Sequence, residues 1–233
     1  MPQHLYDLEF RLNGYRPATA EVGHDFDDRI SLGELTTLAK HHTADGRHSF
    51  LVLHDDSTIY GVPGESPLVA LHLTRDVARR TFTFDSERLP LLTLAQSWLV
   101  QRGCPDGAVD LPDGLGTLPA DETTTALERR LLHTGNRYTL VDSHVGEGYP
   151  TLETMVLLKA VNPDQTYPYR LLLEVTDLQA GTRRLREGAF ETAEAARVWL
   201  EDRSTPLPAP APTTIRGLPA GPAAPASARG RTR

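Results

Sequence analysis

Cysteine is almost absent from the chain. Cys104 stands alone among 233 residues, so one molecule cannot form an internal disulfide or a thiolate-rich zinc or iron–sulfur site. A reducing cytoplasm is the expectation. Lysine is nearly as scarce, with Lys40 and Lys159 beside 22 arginines, and this bias with abundant Ala and Pro predicts a GC-rich bacterial source. Long apolar runs are missing. Phe50-Leu51-Val52-Leu53 is far too short to span a bilayer, and the first ten residues lack the basic and apolar regions of a signal peptide, so neither a membrane span nor secretion is expected.

Reaction-bearing motifs are missing too. There is no Gly-x-Ser-x-Gly elbow, no Walker lysine loop, no Gly-x-Gly-x-x-Gly fingerprint and no HExxH. Asp142-Ser143-His144 holds the residue types of a hydrolase triad, but consecutive strand residues point to opposite faces and cannot form the relay.

What is present describes an ordinary folding chain with an unusual end. Hydrophobic residues make up 39% and charged residues 24%, enough to build a core. From Ser204 onward the composition shifts to Ala and Pro with four arginines and no acid, and extended disorder is expected there. Residues 1–203 then carry 20 Lys and Arg against 31 Asp and Glu. An acidic body repels phosphate backbones, which argues against nucleic-acid binding by the folded part.

The most informative feature is an internal match without gaps at an offset of 101 residues. Thr93–Arg102 and Glu194–Arg203 share Ala95/Ala196, Trp98/Trp199, Leu99/Leu200 and Arg102/Arg203, and these are the only two tryptophans. Both segments show helical spacing, with Ser86 and Thr192 as N-cap candidates, and their Ala and Leu neighbours assign Trp98 and Trp199 to core packing.

Ahead of each helix the chain reads as short extended runs, 48–54, 58–62, 68–74 and 80–85 in the first half and 138–145, 153–161, 169–176 and 182–190 in the second. Helical patterns at Ser31–His41 and Thr123–His133 precede them. Each half is therefore expected to be helix–four antiparallel strands–helix, an α+β fold of two tandem pseudo-repeats. An extra N-terminal strand is expected at Leu5–Leu12, with Ala108–Leu111 as a poor counterpart. The expected organisation is a first repeat at 1–103, a Pro/Gly/Asp-rich connector at 104–120, a second repeat at 121–203 and the tail at 204–233. This element order is similar to that of a TATA-binding-protein-like fold, a likeness of order that implies no function.

Candidate chemistry concentrates in the first half. His24, Asp25, His41, His54 and Asp55 offer imidazoles and carboxylates to a divalent metal, and with a metal-bound water they would make a hydrolase. Convergence of these five in space is the requirement. Two glycine loops containing Gly64-Glu65 and Gly146-Glu147 offer backbone N–H groups to a ligand. Of three functional expectations the first is a non-enzymatic protein-interaction or regulatory accessory module with a protein partner; the others are the metal-assisted hydrolase and a nucleic-acid accessory protein.

Overall fold

The computed structural model describes residues 10–31 and 33–210. The first half runs β1 (Arg16–Pro17), α1 (Ala20–Phe26) with a π turn at Asp27–Ser31, β2 (Leu35–His42), β3 (His48–Asp55), β4 (Leu68–Asp76), β5 (Thr81–Leu89) and α2 (Leu92–Val100). The second half repeats it as β6 (Leu118–Pro119), α3 (Glu122–Leu132), β7 (Tyr138–Val145), β8 (Thr151–Ala160), β9 (Tyr169–Asp177), β10 (Thr182–Phe190) and α4 (Ala193–Glu201). Two five-stranded mixed sheets result, ordered β1-β5-β4-β3-β2 and β6-β10-β9-β8-β7. Among the described residues only the short strands β1 and β6 pair in parallel.

Local chemistry explains why the halves start alike. Thr19 caps α1 by accepting from Val22 N–H at 3.2 Å, and Asp121 caps α3 by accepting from Thr124 N–H at 2.8 Å. Each cap follows the short strand by two residues. Thr192, as expected, caps α4 through Ala195 N–H at 3.0 Å.

Both faces of each sheet are covered, which is why the central strands are apolar almost without interruption. In β4, Val69, Leu71 and Leu73 face Phe26 and Ile30 of the α1 segment, while Ala70 faces Ala95 and Leu99 of α2. Cys104 and Val109 join that second cluster, so the connector is tied into the core of the first half. In the second sheet Leu172 and Leu185 pack under Leu127 and Leu131 of α3, and Leu171 and Leu173 pack under Ala196 and Trp199 of α4. Leu91, at the start of α2, is buried with the α3 cluster, so α2 joins the two halves.

A second junction comes from the loop between β3 and β4. Gly61 N–H donates to Val145 O at 2.7 Å and Gly64 N–H to Ser143 O at 2.8 Å, placing this loop on the outer edge of β7. Sheet edges with free backbone groups invite pairing, and here the chain covers one of its own.

Several sequence expectations are corrected. Leu35–His42 is a strand, not the expected Ser31–His41 helix. A bulge between Thr37 and Ala39 moves Ala39 to the face opposite Leu35, and the broken alternation imitates a helical period. The same bulge recurs between Leu140 and Asp142. The run 58–62 lies in the β3–β4 loop, and Ser86 lies within β5, leaving Leu91 as an N-cap without a side-chain bond. Most of the expected strand at Leu5–Leu12 falls outside the described residues, and its described end, Phe10–Leu12, is not strand. The extra strand of each half is instead β1 and β6; Ala108 and Val109 lie in a turn, and Asp110 and Leu111 are irregular. Of the expected disordered tail, residues 211–233 lie outside the described residues, but Leu207 packs on the second sheet and Pro208 O accepts from Ala189 N–H at 2.9 Å. Among the described residues no helix is long and apolar enough to cross a membrane.

Candidate functional site

The five residues offered to a metal do not form a ligand group of three or more. His24 and Asp25 are exposed on α1. The His41 ring lies 6.4 Å from Phe50, whereas His54 bonds through Nδ1 to Asp56 at 2.8 Å and through Nε2 to Tyr60 OH at 3.2 Å. Asp55 is buried and already paired, with Arg88 at 2.6 Å and Ser57 Oγ at 2.5 Å. Among the described residues no three His, Cys, Asp or Glu side chains are grouped to hold a metal ion.

The glycine loops do come together, but around each other. Gly64 N–H is engaged by Ser143 O and Gly146 N–H by Glu153 O at 2.8 Å. A Cβ on Gly61 would sit 3.0 Å from the Glu147 side chain, so Glu147 lies against the first loop. Glu65 N–H bonds Val62 O within its own turn. Trp98 and Trp199 are half-buried in the expected apolar clusters, and each carries an arginine four residues on. Arg102 lies 3.4 Å over the Trp98 ring and Arg203 5.9 Å from that of Trp199.

A row of rings on the α2 side of the first sheet was not foreseen. Phe50 stacks on His72 at 4.6 Å and 5°, and His72 Nε2 lies 3.1 Å from His48 Nδ1. The His48 and His72 centroids are 5.3 Å apart with planes 22° from parallel. Two five-membered rings at that spacing meet edge to edge, so the nitrogens point at one another within hydrogen-bond distance. Burial first, and His48 second, push the His72 imidazole down to about 4.

The site with the most chemistry is a cleft of about 530 Å³ between α2, α3 and the connector. That volume lies in the range of small-ligand sites. Its floor is Arg183 of β10, whose Nε donates to Glu128 of α3 at 2.6 Å while a terminal nitrogen donates to Thr117 O. The pair is largely enclosed, with side chains 13% exposed for Glu128 and 16% for Arg183. Glu174 of β9 is the third member. Burial pushes its carboxyl up to about 7, Arg183 pulls it down and Glu128 adds to the rise. The opposite wall is the connector, held by Gln96 of α2, which donates to Val109 O and to the Asp110 carboxylate, both at 3.1 Å.

Internal repetition shows that the fold does not require these charges. Glu128 stands seven residues after its N-cap, as Phe26 does in the first half, and the offset of 101 places Arg183 on Phe82 and Glu174 on Leu73. In the first half those positions form an apolar trio, with Phe26 and Phe82 edge to face at 5.2 Å. One half thus packs rings and a leucine where the other places two carboxyls and a guanidinium. Buried ion pairs recover little stability over apolar packing, so a charged cluster at a position where apolar side chains suffice points to use.

No protein-family model matches the chain, no curated protein matches it in sequence and no solved structure matches it, so the likeness to the TATA-binding-protein-like order gains no support from any neighbour.

Proposed function

We propose that the protein is a non-enzymatic interaction module, built of two α+β units at residues 1–103 and 121–203, that seats its partner in the cleft between α2 and α3. The observation that carries this reading is the replacement of Phe26, Phe82 and Leu73 by Glu128, Arg183 and Glu174 beside the cleft of about 530 Å³. The cleft also leaves apolar surface uncovered, with Leu118 70% and Leu115 44% exposed. Exposed apolar surface rimmed by charge is the usual character of an interaction site. A bacterial cytoplasm is the setting this reading assigns, supported by the single buried cysteine and by arginine in place of lysine.

The test is affinity capture with the wild-type chain beside the variant E128F/E174L/R183F, which gives the second half the residues of the first. The variant is expected to fold and to lose the captured partner. Capture that is indifferent to the change overturns the reading.

One observation favours a second reading. A carboxyl raised to about 7 by burial beside Arg183 and Glu128, which line the cleft, is matched to acid–base chemistry at neutral pH, and Glu174 is the group that would move the proton. A turnover assay with Glu174→Gln decides it, since catalysis would be lost while binding persists.

A further inference from the structure

The cleft identifies the character of what fills it. Carboxylates outnumber guanidiniums on its walls, where Asp110, Asp113 and Glu128 face Arg129 and Arg183, and Arg183 is already held by Glu128 and Thr117. Around them lie Leu115 and Leu118 with their exposed apolar surface. An occupant that complements both features is apolar along its length and positively charged, since matching potentials steer and orient association.

One segment of this chain has that composition. Residues 211–233 contain Ile215 and Leu218 among Ala, Pro and Gly, with Arg216, Arg229, Arg231 and Arg233 and no acidic residue. The preceding residues are anchored on the strand that carries the cleft's floor. Trp199 Nε1 donates to Thr205 O at 3.1 Å, Leu207 packs with Phe190, and Pro208 O accepts from Ala189 N–H of β10. From Ala189 back to Arg183 the strand covers roughly 20 Å at the rise of an extended chain. The residues beyond 210 can reach roughly 70 Å when extended, so they span that distance with chain to spare. Tethering of this kind raises the local concentration of a segment to about the millimolar range, enough to fill a site of weak intrinsic affinity.

We propose that residues 211–233 occupy the cleft between α2 and α3 in the free protein, as a resident ligand that a partner must displace. This rests on the reading of the cleft as the interaction site. It makes the tail a regulator of that site, because the partner's apparent affinity is lowered by the fraction of time the tail is bound.

The experiment uses the full chain with a photo-crosslinking amino acid at Leu218, illuminated, digested and mapped by mass spectrometry. Intrachain adducts are expected on residues 110–119 and 125–132, reduced at least five-fold in R216E/R229E/R231E/R233E. Adducts spread over the surface without preference for those segments overturn the proposal, as do adducts between two chains, which would make a second copy the occupant. Partner capture by E128F/E174L/R183F separates the two readings. If crosslinks miss the cleft while capture still depends on the cluster, the tail proposal alone fails; if crosslinks reach the cleft while capture is indifferent, the interaction reading fails.

Discussion

Phe82 and Arg183 hold the same place in two copies of one sheet: each is the second residue of its half's last long strand, and each lies opposite a proline of the short parallel strand, Pro17 or Pro119. One packs against Phe26 and the other bonds Glu128. Breaking the ionic version from one side leaves a carboxylate enclosed without its partner. Arg183→Leu alone is therefore expected to cost about 3–5 kcal/mol, whereas E128F/E174L/R183F, which removes all the charges together, is expected to match or exceed the wild type. Urea denaturation of the two variants checks this. Similar losses in both would show that the three side chains do not act as a unit.

Glu174 gives the second prediction, in pH. Its folded carboxyl is raised to about 7 from 4.5, so between these values the folded state keeps a proton that the unfolded state releases. Stability from this group is full below about 4.5 and falls as pH rises toward 7, by at most about 1.4 kcal/mol per unit. Glu174→Gln is expected to remove that fall. Denaturation midpoints at pH 5 and pH 8 measure it, and an unchanged difference between them would contradict the assignment.

Much of this architecture was legible in the sequence, and the failures have physical causes. All four long strands of the second half, α3 and both tryptophan helices are legible because their apolar residues keep a clean period; Asp121 and Thr192 cap α3 and α4, while α2 starts at Leu91 with no side-chain cap. The first half departs from its sequence pattern at β2, where the bulge shifts the period, and at the β3–β4 loop, where Ile59 and Val62 give an apolar run that serves as a junction and not a strand. The polar cluster was within reach. The offset that aligns Trp98 with Trp199 also sets Phe82 against Arg183 and Leu73 against Glu174, and a charge at a core position was the signal. His72 was hidden, because the partner of His48 is 24 residues away and set by strand register alone.

The histidine pair gives a prediction of the opposite sign. His72 is lowered to about 4, and so is His42 at the end of β2, where burial first and the nearby Arg11 second disfavour its charge, so between about 4 and 6.5 the unfolded state binds protons that the folded state refuses. Stability is then full above 6.5 and lost as pH falls through that window. Leu173 holds the place of His72 in the second half, and His72→Leu is expected to reduce the acid sensitivity while His42 preserves part of it. Thermal melting between pH 4.5 and 7.5 checks this. A variant with the slope of the wild type would exclude His72 as a contributor.

Two glycines of the connector separate stability from the shape of the cleft. Gly114 and Gly116 both hold left-handed backbone, with φ of +82° and +80°, so alanine at either is expected to cost about 1–2 kcal/mol. Their surroundings differ. A Cβ at Gly114 meets nothing within 4 Å, while one at Gly116 falls 2.8 Å from Leu111 Cδ1 and forces that side chain to move. Leu111 lines the cleft, so Gly116→Ala is expected to lower stability little more than Gly114→Ala but to weaken partner capture and the tail crosslinks selectively. Equal effects of the two substitutions on capture would place the binding surface away from this wall, because only one of them reshapes it.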